Sequence, residues 1–339
     1  MRRRSFALFA AGIIAVQVAT GLTGSDFLLT QLTMAAWYGL VVVGLCLLMG
    51  YAGQISLGHA AFFAIGGYTT AVLSTVNLLP VKTAPVITAL AAVGLTVGGT
   101  DAWGSEVLRL SPWLSLVAAV TVSALVAYGI GMPVLRLRGH YLAMATLGFG
   151  IIVYRLALGT PLLGGADGLS DTPPFPLFAG LALDGSRAHR LFSYYFSWAT
   201  VLAVMFLLVN LIGSRAGRAL RAIHGNEAAA GAMGIDTSRY KLHLFALSAV
   251  IAAVAGVFMT HYTGGIGPAE TSVMKSIRYV AIVAVGGMAD LWGALIAGTI
   301  LNFLSLRGFF GTYDDAVFGA VLIAVMLFAP SGIVRKRKL

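Results

Sequence analysis

Three stretches of the chain carry polar side chains at spacings that could do chemistry, in a sequence that is 59% hydrophobic and 10% charged. The first, GYAGQISLGHAAFFAIGGYTT at 50–70, sets Gln54, Ser56 and His59 among glycines at 50, 53, 58, 66 and 67. Hydrogen-bonding groups in that setting can form the mouth of a polar path, or can satisfy backbone carbonyls at a glycine-rich turn. The second, LRLRGHYLAMATLGFG at 135–150, places Arg136 and Arg138 ahead of an apolar run that contains Thr146. The arginines suit lipid phosphates. Thr146 can line the same path or bond back to its own helix. The third, SRAGRALRAIHGNEAAAGAMGIDTSRYK at 214–241, is the one long basic segment of the chain. Within it Asn226 suits a helix N-cap, Glu227 the positive end of the helix dipole, Ala228 and Ala229 the helix body, and Gly234 a left-handed C-cap. About two turns of helix are too short to be stable alone in water. The unit is read either as an element held by a soluble partner or as an ordinary solvated loop.

Several chemistries are missing. No G-x-x-x-x-G-K-[ST] phosphate loop occurs, so ATP hydrolysis is not expected of this chain. No H-E-x-x-H pair occurs, and the histidines at 59, 140, 189, 224, 243 and 261 lack ligand spacing, so no metal is expected. The one cysteine, Cys46, excludes a disulfide framework. No catalytic residues and no bound cofactor are assigned. The formal charge of +10 is read as basic loops facing anionic lipid, not as a nucleic-acid surface.

The elements that position these stretches are apolar runs. Mean hydropathy is +0.91 and 42 of 339 residues are glycine, which fits helices crossing a bilayer and packing through small residues. Eleven candidate spans appear, at 6–22, 28–49, 57–76, 84–99, 114–134, 141–158, 192–212, 242–261, 276–288, 290–306 and 315–330. Eleven would put the two basic ends, Arg2–Arg3–Arg4 and Arg335–Lys336–Arg337–Lys338, on opposite sides. The segment 84–99 is short, rich in Gly, Thr and Ala and flanked by prolines and acids, so it is read as an outside hairpin or re-entrant piece. Ten spans then place fourteen Lys/Arg and three acids inside, against six Lys/Arg and nine acids outside. Both termini are expected in the cytoplasm, with outside loops at about 77–113 and 159–191 and an inside loop at about 213–241. The spans hold almost no charge, only Arg155 and Arg278, and no carboxylate well inside one. That argues against an ion-coupled carrier and places the energy source on another chain.

The blocks GYAGQISLGHAAFFAIGGYTTA (50–71), LRLRGHYLAMATLGFG (135–150), GGADGLS (164–170), GRALRAIHGNEAAAGAMGIDTSRYKLHLFALSA (217–249) and VAVGGMADLWGALIAG (283–298) resemble the LivM-type permease subunits of the branched-chain (hydrophobic) amino-acid family of bacterial ABC importers. The resemblance covers most of the chain from residue 28 onward, with His140 and GGADGLS departing from the family's usual pattern. It implies an all-α integral membrane protein of about ten transmembrane helices, type II-like, forming a single permease domain over 1–339 in the bacterial inner membrane. It implies a LivH-type second permease, two cytoplasmic ATPases carrying ATP and Mg, and a periplasmic binding protein. It also implies that 226–234 is a coupling helix docking on an ATPase, with Glu227, Ala228 and Gly234 matching the family signature and Asn226, Ala229 and Arg218 beside them. The solute expected is a branched-chain or other hydrophobic amino acid, the alternative being urea, a short amide or an aromatic acid. Gln54, Ser56, His59 and Thr146 are the candidates for the translocation path.

Overall fold

The structure, a computed structural model, describes residues 2–82, 84–100, 104–137, 139–177 and 180–328. Arg138 and the basic tail Arg335–Lys338 lie outside the described residues. Helices occupy all ten expected spans: α1 (Arg2–Leu22), α2 (Phe27–Ala52), α3 (His59–Thr75), α5 (Pro112–Val134), α6 (His140–Gly159), α7 (Arg190–Gly213), α10 (Thr237–Thr263), α11 (Val273–Gly286), α12 (Leu291–Leu306) and α13 (Asp314–Phe328). Six of these, α1, α2, α5, α6, α7 and α10, are long and apolar enough by themselves to cross a membrane. The others are shorter, at 17 residues for α3, 14 for α11, 16 for α12 and 15 for α13.

The eleventh candidate breaks up for a physical reason. Pro85 starts a helix, α4 (Pro85–Ala92), that stops after eight residues, or about 12 Å, against a hydrocarbon core of about 30 Å. Gly94 follows with φ +74°, and the chain then turns into an antiparallel hairpin of β1 (Thr96–Thr100) and β2 (Glu106–Leu110). A second small ladder, β3 (Phe175–Pro176) with β4 (Ala182–Leu183), lies in the 159–191 loop. Both ladders belong to loops, so the helical class stands.

Two helices form the centre. α2 is buried along nearly its whole length, and α10 packs against α2, α3 and α5. Lipid offers no hydrophobic drive between helices, so close packing through small residues must hold them. Gly66 of α3 and Gly256 of α10 provide it: a Cβ on Gly66 would collide with the backbone of Ala253, and one on Gly256 with the carbonyl of Phe63. α1 lies at the edge and is held by particular contacts. Tyr194 donates to the Ile13 carbonyl at 3.0 Å, and the Phe6 and Phe9 rings meet Trp292.

Contacts between loops sort the two ends of the bundle. At one end Arg109 pairs with Asp171, Trp113 donates to the Pro176 carbonyl and His261 Nδ1 lies 2.7 Å from the Pro173 carbonyl oxygen. Leu169 and Ile266 exchange backbone hydrogen bonds at the same end. At the other end Tyr51 donates to the Ala289 carbonyl at 2.8 Å, and Gly53 abuts the His224 ring. This second end gathers the segments expected on one side from the charge count.

Two outcomes follow. Gly256→Val should destabilise the bundle by about 3 kcal/mol through overpacking, read as a lower unfolding temperature in detergent. A phosphatase reporter fused after Leu110 should be active and one fused after Met233 inactive; equal activity would undo the ten-span reading.

Candidate functional site

The basic segment 214–241 folds as two helices joined by one extended residue. α8 (Arg215–Gly225) is amphipathic: Gly217, Leu220 and Ile223 are buried while Arg215, Arg218 and Arg221 are exposed. Ser214 caps its start by accepting from the Gly217 amide, and Arg221 donates to the Ile212 carbonyl at 3.0 Å. The sequence reading named one helix here and did not separate α8, because its charges hide a narrow apolar face.

The second helix, α9 (Glu227–Ala232), has the ends expected of it. Asn226 is extended, and its side-chain oxygen accepts from the Ala229 amide at 3.0 Å. Gly234 has φ +83°, where only glycine fits without strain. The Gly234 amide bonds the Gly231 carbonyl and the Ile235 amide bonds the Ala230 carbonyl, the paired bonds of a Schellman cap. Ala230 faces inward, while Ala228, Ala229, Gly231, Ala232 and Met233 face outward, Met233 being 84% exposed.

A tie that sequence reasoning missed fixes this short helix to the bundle. Lys241, read from sequence only as a basic flank, is 8% exposed in the first turns of α10, and its ammonium contacts the Glu227 carboxylate at 2.5 Å. Glu227 therefore serves both the positive end of α9 and the start of α10. Asp236 caps α10 through the Arg239 amide at 3.1 Å.

The candidates for a polar path go to two places. Ser56, His59 and Thr146 are buried at 2%, 1% and 1% exposure and knit helices together. His59 Nδ1 lies 3.2 Å from Ser56 Oγ and Nε2 lies 2.6 Å from Ser248 Oγ, and Ser248 in turn donates to the Gly44 carbonyl. Thr146 accepts from the Leu57 amide and donates to the Ala143 carbonyl, both at 3.0 Å. Gln54 is also buried, yet neither its amide nitrogen nor its oxygen has a partner in the protein. A buried polar group left in that state costs about 1–3 kcal/mol. Gln54 is among the residues lining a cavity of about 240 Å³ beside the α8–α9 unit, with both amide atoms closed off from solvent.

The structure shows a charged group that the sequence reading did not place. Glu270, on the turn Pro268–Thr271 before α11, accepts a hydrogen bond from Tyr38 at 3.1 Å and pairs with Lys275. Tyr38 stands eleven residues into the 26-residue α2, roughly 16 Å from its start at 1.5 Å per residue. A carboxylate thus sits beside the middle of a span. The short α11 makes this possible, since it begins partway down α2. Arg278, on the same helix, pairs with Asp314 and Asp315 at the start of α13. A cavity of about 820 Å³ is an apolar groove between α3, α5 and α6 that includes Val72, Val126, Phe149 and Leu156. Among the described residues no cluster of His, Cys, Asp or Glu could hold a metal.

A helical bundle with six helices long and apolar enough to cross a bilayer describes a multi-pass membrane protein. The chain belongs to the family of branched-chain amino acid transport system permease components, whose model matches residues 27–326. It is 29% identical to the high-affinity branched-chain amino acid transport system permease protein LivM of Salmonella typhimurium, over 96% of this chain and 74% of that protein. The LivM of Escherichia coli is 28% identical over the same shares. The LivH permease of Escherichia coli is 28% identical over 89% of this chain and 92% of that protein. No solved structure matches the chain.

The Glu227–Lys241 tie is open to a double-mutant cycle. Lys241→Met and Glu227→Gln should each lower the unfolding temperature, with a coupling energy of about 1–2 kcal/mol between them. Strict additivity would show that the two side chains do not act together.

Proposed function

We propose that the chain is a membrane-spanning permease subunit of an ATP-driven importer that carries branched-chain or other hydrophobic amino acids into the cytoplasm. In this reading it pairs with a homologous second permease. Two cytoplasmic ATPases, binding ATP and Mg, dock at the α8–α9 end, and a periplasmic binding protein delivers solute at the other end. Both termini lie on the ATPase side. Similarity to both LivM and LivH permeases supports pairing with a homologue.

The observation that carries the reading is α9. A six-residue helix cannot hold itself in water, yet this one is capped at both ends, tied to α10 through Glu227 and Lys241, and exposed on its outward face. That is what a rigid docking element requires. Asn226 and Gly234 fix its ends, Ala228 and Ala229 permit close approach of a partner's surface, and Arg218 stands exposed on the neighbouring helix. Movement of the ATPases during their cycle would pass through α9 and Lys241 into α10, which packs on α2, α3 and α5. The α10 shift would repack the bundle, opening it alternately to either side.

The apolar groove between α3, α5 and α6 is a surface that a hydrophobic solute can pass without being trapped. Gln54, Ser56, His59 and Thr146 remain candidates for contact with the path, at its end near the ATPases. Of these, Gln54 alone has unpartnered amide atoms.

Reconstituted with its second permease, ATPases and binding protein, the wild-type chain should support ATP-dependent leucine uptake. The double variant Glu227→Arg, Gly234→Pro should assemble but lose at least tenfold in uptake and in stimulation of ATPase activity by loaded binding protein. Undiminished uptake in a correctly assembled complex would refute the coupling role.

A further inference from the structure

Polar groups on α2, α11 and α12 enclose a recess that enters the bundle from the end opposite α8–α9. Its mouth is marked by Leu306, whose carbonyl accepts from Gln31, near the start of α2, at 3.4 Å. Asn302 and Ser305 line it further in, and Tyr38 and Lys275 lie at its floor with Arg278 beside them. Gln31 and Tyr38 are seven residues apart on α2, so the recess is about 10 Å deep and ends close to the middle of that 26-residue helix. The ions there are not sealed in. Lys275, Glu270 and Arg278 keep 21%, 22% and 23% of their side-chain surface exposed. Charged groups at that depth do not face acyl chains; they face water or protein.

We propose that this recess is the water-filled entrance to the solute path in the outer half of the membrane, and that it widens to pass an amino acid. The inference deepens the importer reading, on which the words outer and solute rest. Both cations are already paired, Lys275 with Glu270 and Arg278 with Asp314 and Asp315, and Lys275 also donates to Tyr38 at 3.0 Å. The walls are therefore polar without a free cation to hold a carboxylate, which suits passage and not capture. The turn that carries Glu270, Pro268–Thr271, packs on α3 and α6, two walls of the apolar groove, so the entrance leads towards that groove. The recess measures about 100 Å³, room for about three waters at about 30 Å³ each and too little for leucine. Around it Gln31 Oε1, Glu270 Oε2, Tyr279 Oη and Asp314 Oδ1 are closed off from solvent with no partner in the protein. Widening would give these atoms water and recover the cost of leaving them unpaired, so the bundle parts most cheaply here.

The test is thiol labelling of the assembled importer in right-side-out vesicles loaded with ATP, using a membrane-impermeant cationic methanethiosulfonate added outside and read on this chain by mass. Its one cysteine, Cys46, is buried and sets the background. Ile300 is the control: it lies at nearly the depth of Asn302 on α12 and is 53% exposed. The two-residue offset turns it about 200° round the helix, to the opposite face. Asn302→Cys and Ser305→Cys should react at least tenfold faster than Ile300→Cys. Labelling should then cut leucine uptake at least tenfold in both recess variants, judged against each variant's own rate before labelling, and leave Ile300→Cys unchanged. Equal labelling rates at the three positions in correctly assembled importer would show that lipid or a partner's helix covers this face and would overturn the proposal. Fast labelling that left uptake intact would also overturn it, because the recess would then lie off the path. Absence of leucine uptake by the unlabelled wild-type importer, with the recess still labelled fast, would instead refute the importer reading, so the two failures are distinct.

Discussion

The close crossing of α3 and α10 at Gly66 and Gly256 is the constraint on which the rest of the molecule depends. In lipid, two apolar helices gain nothing by leaving solvent, and they stay together because their backbones can touch. This contact fixes α10 in the centre, against α2, α3 and α5. The hydrogen bonds between His59, Ser248 and Gly44 then lock the same three-helix junction from its polar side. Once α10 is fixed, so is its first turn, and with it Lys241. The short helix α9 is therefore an extension of the core, although it lies outside it.

Polar groups in the bundle divide by how they are satisfied. Ser56, His59, Thr146 and Ser248 have partners within the protein and serve to join helices. Glu270, Lys275 and Tyr38 form a charged group beside the middle of α2, where an ion must be paired to be tolerated. Gln54 is buried with neither amide atom partnered, where the core meets the α8–α9 unit.

Much of this was legible in the sequence because it is local or additive. Ten spans follow from hydropathy and charge, and both caps of α9 follow from Asn226, Glu227 and Gly234 within nine residues. What was not legible is long-range or depends on depth. Nothing in spacing pairs Glu227 with Lys241 across an intervening turn, or His59 with Ser248 across 189 positions. The depth of Glu270 was hidden because a window of hydropathy cannot say that α11 begins partway down α2. α8 was hidden because eleven residues with three exposed arginines resemble a loop until Leu220 and Ile223 are seen to be buried.

The central claim is that α9 is formed in the permease by its own caps and by Lys241, without any partner. Hydrogen exchange on the chain purified without ATPases tests this most directly. The amides of Met233, Gly234 and Ile235, which bond the carbonyls of Ala229, Gly231 and Ala230, should exchange about tenfold or more slowly than unstructured chain. That protection should fall when Lys241 is replaced by Met. Exchange at the rate of unstructured chain, slowed only when the ATPases bind, would mean that the partner makes the helix and would contradict the account.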